Sequence, residues 1–213
     1  MASEQEVLRR AILRERIHLD RGQRNDLRAA VEAVGPKASV WTPARMLADR
    51  LAIFPEELLR WWLQQPTGHL VIGGKISRYV PGEQTVGRRA LANVAWIAPV
   101  DILRQRREAL MAIASLLDHL LGCRGELGGT WLSEGGGYHP LWAEVGQRIL
   151  KLHGLSYAPE PYSETPQAYF AWGVALYCTQ RRELNLIDPL LERLLRETVM
   201  SPSFWRRVDQ ATS

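Results

Sequence analysis

Apolar positions along this chain recur mostly at helical spacing, with the densest runs in its second half. From Glu4 to His18, Val7, Leu8, Ile12, Leu13 and Ile17 alternate with arginines, which predicts an amphipathic helix. Arg24 to Val34 predicts a second, shorter helix ended by Gly35-Pro36. Thr42 to Trp62 predicts two short helices joined by a tight turn. Thr42 suits an N-cap and Pro43 the first helical position, where a missing N–H costs nothing. Leu47, Ala48 and Leu51 form the apolar stripe of the first helix, Ala48 being small where a second helix crosses. Pro55 starts the second helix, with Glu56 and Glu57 in its first turn at the positive end of the dipole. Leu58, Leu59, Trp61 and Trp62 give it a broad apolar face and leave Arg60 towards solvent. Ile72 to Val80 then predicts a hairpin turning at Gly73-Gly74, with Ile72, Ile76 and Tyr79 covering the helix pair.

Residues 81–89 carry proline, glycine and charge and read as an exposed connection. Beyond them, Pro99 to Leu121 is the longest helical pattern, with Gly122 as its stop. A glycine-rich stretch over 125–137 reads as a flexible exposed loop, and it lacks the lysine and spacing of a phosphate loop. Helices follow over Pro140–Leu152, Pro166–Thr179 and Pro189–Val199, the last capped by Asp188, and a short one starts at Ser201-Pro202. The fold class expected is mainly α. A helical arm and an N-terminal helix-turn-helix with a small β-hairpin wing occupy 1–82, a linker 83–89, and an α-helical domain 90–213.

The run "RLAIFPEELLRWW" followed by "IGGKISRYV" resembles the winged helix-turn-helix of excisionase and mercury-resistance-type regulators over residues 42–82. That resemblance implies a DNA-binding module. On it, Arg60 reaches a base edge or phosphate, Lys75 and Arg78 hold the backbone from the hairpin, and Arg45 and Ser77 complete the contact set. Changing Lys75 and Arg78 to Ala is then expected to weaken binding to all sequences and to flatten its salt dependence. Two features depart from the pattern. Ala52 stands where such turns carry glycine and fits only at negative φ, and Glu56 and Glu57 open the helix that would face phosphates.

Composition narrows the class. The 213 residues are 46% hydrophobic, with no apolar run of bilayer length and no signal-peptide core at the N-terminus. Two cysteines, Cys123 and Cys178, make no disulfide framework, so a cytoplasmic location is expected. The net charge of +4 is uneven: residues 1–90 hold 15 Lys and Arg against 10 Asp and Glu, and residues 91–213 hold 12 against 13. A basic N-terminal half suits an anionic partner. Arg9, Arg10, Arg14, Arg16, Arg21, Arg24 and Arg28 are candidates for a phosphate-tracking face. Eight tryptophans point to an aromatic-rich core.

Candidate chemistry in the second half is thin. His119-Leu120-Leu121-Gly122-Cys123 is similar to the metal-binding helix of zinc peptidases, and Ala168–Gly173 to the downstream helix that supplies their third ligand. Leu120 replaces the general-base glutamate, Cys123 the second histidine and Trp172 the third ligand, so the pattern is catalytically degenerate. His119 and Cys123 share a helix face and need His139 or His153 to complete a metal site. Asp118 and His119 point about 100° apart on a helix, and Ser133, Glu134 and His139 lack a nucleophile elbow. No enzyme activity, metal or cofactor is expected. The expected partners are double-stranded DNA and, through the helical domain, a second copy or another protein. The alternative is a docking component of an assembly without nucleic-acid contact.

Overall fold

The computed structural model describes residues 4–20, 28–29, 31–32, 39 and 41–212. The chain divides into two compact units, 1–112 and 113–213. Among the described residues, helices dominate and a single four-stranded sheet lies in the first unit.

In the first unit, α1 (Glu4–Glu15) runs into the short strand β1 (Ile17–Leu19). The helix pair follows as expected, α2 over Thr42–Leu51 and α3 over Glu56–Gln64. Leu47, Ala48, Leu51, Leu58, Leu59, Trp61 and Trp62 are all buried, together with Leu8 and Ile12 of α1. Burying large side chains on facing stripes is what holds short helices that would fray alone. Thr42 is not the cap: the helix already includes it, and its Oγ1 accepts the Ser39 N–H at 3.0 Å. Ala52 sits at φ −63°, ψ −8°, so the turn stays in the right-handed region and requires no glycine. The helix expected over Arg24–Val34 falls largely outside the described residues.

The strands differ from expectation. β2 (His69–Ile72) pairs in parallel with β1 and with β4 (Arg89–Ile97), and β3 (Arg78–Val86) pairs antiparallel with β4, giving the order β1-β2-β4-β3. No hairpin forms across Gly73-Gly74, because β2 is already paired on both edges and β3 lies beyond β4. Leu70, Val71 and Ile72 are fully buried, as befits a central strand covered on both faces. The hairpin is β3–β4, and residues 83–89 form its end where a linker was expected. Its turn joins Val86 to Arg89 through Gly87, at φ +62°, and Arg88. A positive φ at the first central residue and not at the second is the mark of a two-residue type II′ turn. A bulge between Val80 and Glu83 is held by Asn93, whose Oδ1 accepts the Tyr79 hydroxyl and the Gly82 N–H.

The long helix expected over Pro99–Leu121 is two helices, α4 (Pro99–Leu103) and α5 (Arg107–Cys123), broken where Gln105 takes φ +50°. In the second unit α5 continues past Gly122 and ends at Arg124 and Gly125, both at positive φ. Then come α6 (Pro140–His153), α7 (Pro166–Ile187, kinked at Gln180), α8 (Pro189–Glu197) and α9 (Pro202–Thr212). Trp142 packs on Phe204 and Trp205 with ring centroids 4.9 Å apart. Asp188 caps α8 by accepting the Leu191 N–H at 2.9 Å, and the buried Tyr169 hydroxyl donates to it at 2.7 Å.

The glycine-rich stretch is packed, not a free loop. A Cβ on Gly122 would strike the backbone of Thr130–Leu132, one on Gly136 the Thr130 carbonyl, and one on Gly146 the Gly136 carbonyl. The glycines let loop and helix backbones touch directly.

Candidate nucleic-acid interface

One face of the first unit is a groove of about 1290 Å³ walled by four elements. α1 buries Leu8 and Ile12 and leaves Arg10 and Arg14 on the opposite side, where they line the groove. β1 adds His18, the first turn of α2 adds Trp41 and Arg45, and the β3–β4 turn adds Arg88 and Arg89. Leu13, Ile17, Leu19, Val86 and Leu91 make the apolar part of its lining. Among the described residues that line it, five are arginines and none is acidic.

These cations are not equivalent. Arg10 is paired with Glu6 at 3.0 Å and Arg14 with Glu15 at 2.6 Å. Among the described residues no carboxylate pairs with Arg45, Arg88 or Arg89, all of which are exposed. The positive end of the α2 dipole lies at the same rim, beside Trp41 and Arg45.

The setting of His18 favours its neutral form. Its Nε2 lies 3.2 Å from Nδ1 of His69 on the neighbouring strand. Burial lowers the pKa of His18, with Arg89 and Arg16 adding to it. Burial, His18 and Arg16 push His69 down to about 4. One imidazole donates its N–H to the bare ring nitrogen of the other, so the pair is satisfied without a charge.

The expected contact residues scatter. Arg45 lines the groove. Arg60 is held between Glu4, at 2.6 Å, and Glu56, at 3.0 Å, so its charge is compensated within the unit. Ser77 is structural: its hydroxyl donates to Asp101 Oδ2 at 2.7 Å and accepts the Ala98 N–H at 3.0 Å, tying the β2–β3 connection to the start of α4. Lys75 and Arg78 are exposed at the far end of the hairpin. Seven residues of strand lie between Arg78 and Val86, roughly 25 Å from one to the other at the usual rise. Of the arginines in the first 28 residues, Arg9 pairs with Asp49, Arg28 with Glu32, and Arg16 is buried, donating to the Leu63, Gln65 and Thr67 carbonyls. Arg21 and Arg24 lie outside the described residues.

Trp41, Arg88 and Arg89 went unread in the sequence. The available signal was glycine between two β-rich runs, Thr85-Val86 and Ala90-Leu91. The Gly73-Gly74 pair, read as the hairpin turn, masked it.

The second unit uses its histidines and Cys123 internally. His119 stacks on Trp131 at 4.8 Å, and its Nε2 lies 2.9 Å from the Glu126 carbonyl. The Cys123 thiol donates weakly to the His119 and Glu126 carbonyls. His139 caps α6 through the Leu141 N–H, and His153 bonds the Ser163 carbonyl. Among the described residues no group of three or more His, Cys, Asp and Glu side chains is placed to hold a metal ion. Asp118 is bonded to Ser133 through both the N–H, at 2.7 Å, and the hydroxyl, at 2.6 Å. No described helix is long and apolar enough to cross a membrane.

Comparison with protein families, curated proteins and solved structures yields no match to this chain.

Proposed function

We propose that this is a DNA-binding regulatory or recruitment protein that seats the sugar–phosphate backbone in the arginine groove of its first unit. The observation that carries this reading is the groove lining: among the described residues it holds five arginines, three of them without an acidic partner, and no carboxylate. Charge follows the same division, since residues 1–112 hold 18 Lys and Arg against 12 Asp and Glu while residues 113–213 hold 9 against 11. An anionic polymer is the partner that such a field attracts. The contact lies away from α3, whose Leu58, Leu59, Trp61 and Trp62 are buried and whose Arg60 is neutralised. The second unit then serves dimerisation or sensing.

The test is a salt titration of DNA binding. Replacing Arg88 and Arg89 with Ala is expected to weaken binding to every sequence and to reduce the log–log salt slope by roughly 1.5. The Lys75→Ala, Arg78→Ala pair is the comparison that places the contact. If that pair moves the slope and the Arg88, Arg89 pair does not, the backbone lies on the other end of the hairpin. No binding to DNA at low salt ends the reading altogether.

A second reading has its own observation. Leu155, Tyr157, Leu186 and Leu190 are exposed around the Ser156–Asp188 hydrogen bond, Tyr157 at 87% and Leu186 at 83%. Clustered apolar exposure of this kind marks protein contacts. It supports a docking role for the second unit. A sizing measurement that shows a concentration-independent monomer, with no DNA binding, leaves a docking component as the simpler account.

A further inference from the structure

The groove combines two chemistries that a paired duplex does not need together. A duplex presents phosphates and sugars on its outside, with its base faces stacked away from the protein. Phosphates alone are served by Arg45, Arg88 and Arg89. Yet the same groove is also lined by apolar side chains and by Trp41, 48% exposed. Trp61, Trp62, Trp142, Trp172 and Trp205 are buried and Trp96 and Trp131 half-buried, so of the eight tryptophans Trp41 alone is exposed. Its indole has no ring contact among the described residues. A large aromatic face left in water beside unpaired cations is the arrangement that binds an unpaired strand, with bases stacked on the ring and phosphates tracked by arginine.

We infer that the groove takes an unpaired DNA strand, with a base stacked on Trp41 and the adjoining phosphates held by Arg45, Arg88 and Arg89. This rests on the DNA-binding reading above and specifies the form of DNA that the site selects. The Val86 and Leu91 side chains supply the apolar wall that the sugar and base edge lie against, and the β3–β4 turn supplies cations to the same groove that Trp41 lines. Selection for the unpaired form comes from the ring, because each stacked base adds binding that a closed duplex cannot offer. Affinity and salt dependence come from the arginines.

The experiment uses the full chain with fluorescein-labelled oligothymidylate and a blunt duplex of the same length, read by anisotropy across a salt series. Wild type is expected to bind the single strand at least tenfold more tightly than the duplex. Trp41→Ala is expected to weaken single-strand binding about tenfold, leave its salt slope unchanged and leave duplex binding unchanged, whereas Trp41→Phe retains most of the affinity. Arg88→Ala with Arg89→Ala is expected to lower both affinities and the slope. Thermal melts of each variant keep loss of fold distinct from loss of contact. Equal weakening of both DNAs by Trp41→Ala, or no effect on either, overturns the stacking assignment while leaving the DNA-binding reading intact. Failure of wild type to bind either DNA at low salt overturns both.

Discussion

Asp118 shows how one buried side chain sets a pH response. It is fully buried, and both of its oxygens are bonded by Ser133. Burial pushes its pKa up to about 8, against the two Ser133 hydrogen bonds and with a small push from Glu134. An unfolded aspartate titrates near ~3.9. The folded state therefore binds an extra proton between these values, and the associated stability is complete below the unfolded value and lost as pH rises to about 8. Asp118→Asn keeps one donor and one acceptor for Ser133. Urea midpoints for wild type are expected to fall relative to this variant from pH 4 to 8 and then run parallel. Asp118→Ala strands the Ser133 hydroxyl and N–H and is expected to cost about 2 kcal/mol. The His18–His69 pair acts with the opposite sign. With His69 held near 4 and the unfolded imidazole near ~6.5, stability is present above the unfolded value and declines as pH falls towards 4. His69→Gln is expected to make that acid decline shallower, which urea melts at pH 7, 6 and 5 measure directly.

Among the elements, the contact between the glycine-rich stretch and α6 is the least forgiving. Gly146 lies against the carbonyls of Gly136 and Leu132, backbone atoms that cannot swing aside. Gly146→Ala is expected to destabilise the chain by roughly 1–3 kcal/mol through overpacking. Gly154 makes the contrast. It ends α6 at φ −65°, ψ −13°, with only the Lys151 carbonyl at 3.6 Å from a Cβ. Gly154→Ala is expected to raise stability by up to about 1 kcal/mol, since alanine fits the native angles and the unfolded chain loses freedom. Denaturant midpoints of the two variants, side by side, test whether the stretch is packed or loose. The helix pair α2–α3 was legible because Leu47, Ala48, Leu51, Leu58, Leu59 and Trp62 carry a local 3.6-residue pattern that burial then rewards. The strands were not. Pairing of β2 with β4 links residues about 25 apart in parallel, and no local pattern specifies which of two glycine turns closes the hairpin. The break at Gln105 was equally hidden, because apolar spacing on either side of it stays helical in appearance.

At the scale of the whole molecule, the uneven charge is the property that bears on function. Net positive charge resides in residues 1–112 and net negative charge in residues 113–213. Binding to DNA is accordingly expected to fall steeply with salt and to respond to Arg88 and Arg89 far more than to Arg181 or Arg196, which are already paired with Glu192. A slope equally sensitive to the Arg181, Arg196 pair, read in the same titration, would place the contact in the second unit instead. Arg45 was recognisable beforehand as a candidate, and Arg10 and Arg14 as part of a basic helix. Their meeting with Arg88 and Arg89 was not, since 43 to 79 positions separate Arg10, Arg14 and Arg45 from the two turn arginines.

Taken alone, the order of residues decides where the helices α2, α3, α6, α8 and α9 lie, because those depend on neighbours three and four positions away, whereas the helix read over Glu4–His18 stops at Glu15 and gives way to strand β1. It also decides the charge of each half of the chain. Only the folded arrangement decides that Arg60 is neutralised, that Ser77 serves α4, that Asp118 is buried against Ser133, and that Trp41 shares a groove with three arginines that no described carboxylate pairs with. Each of these depends on groups brought together across the fold, and distance in space, not along the chain, sets the strength of a charge interaction or a hydrogen bond.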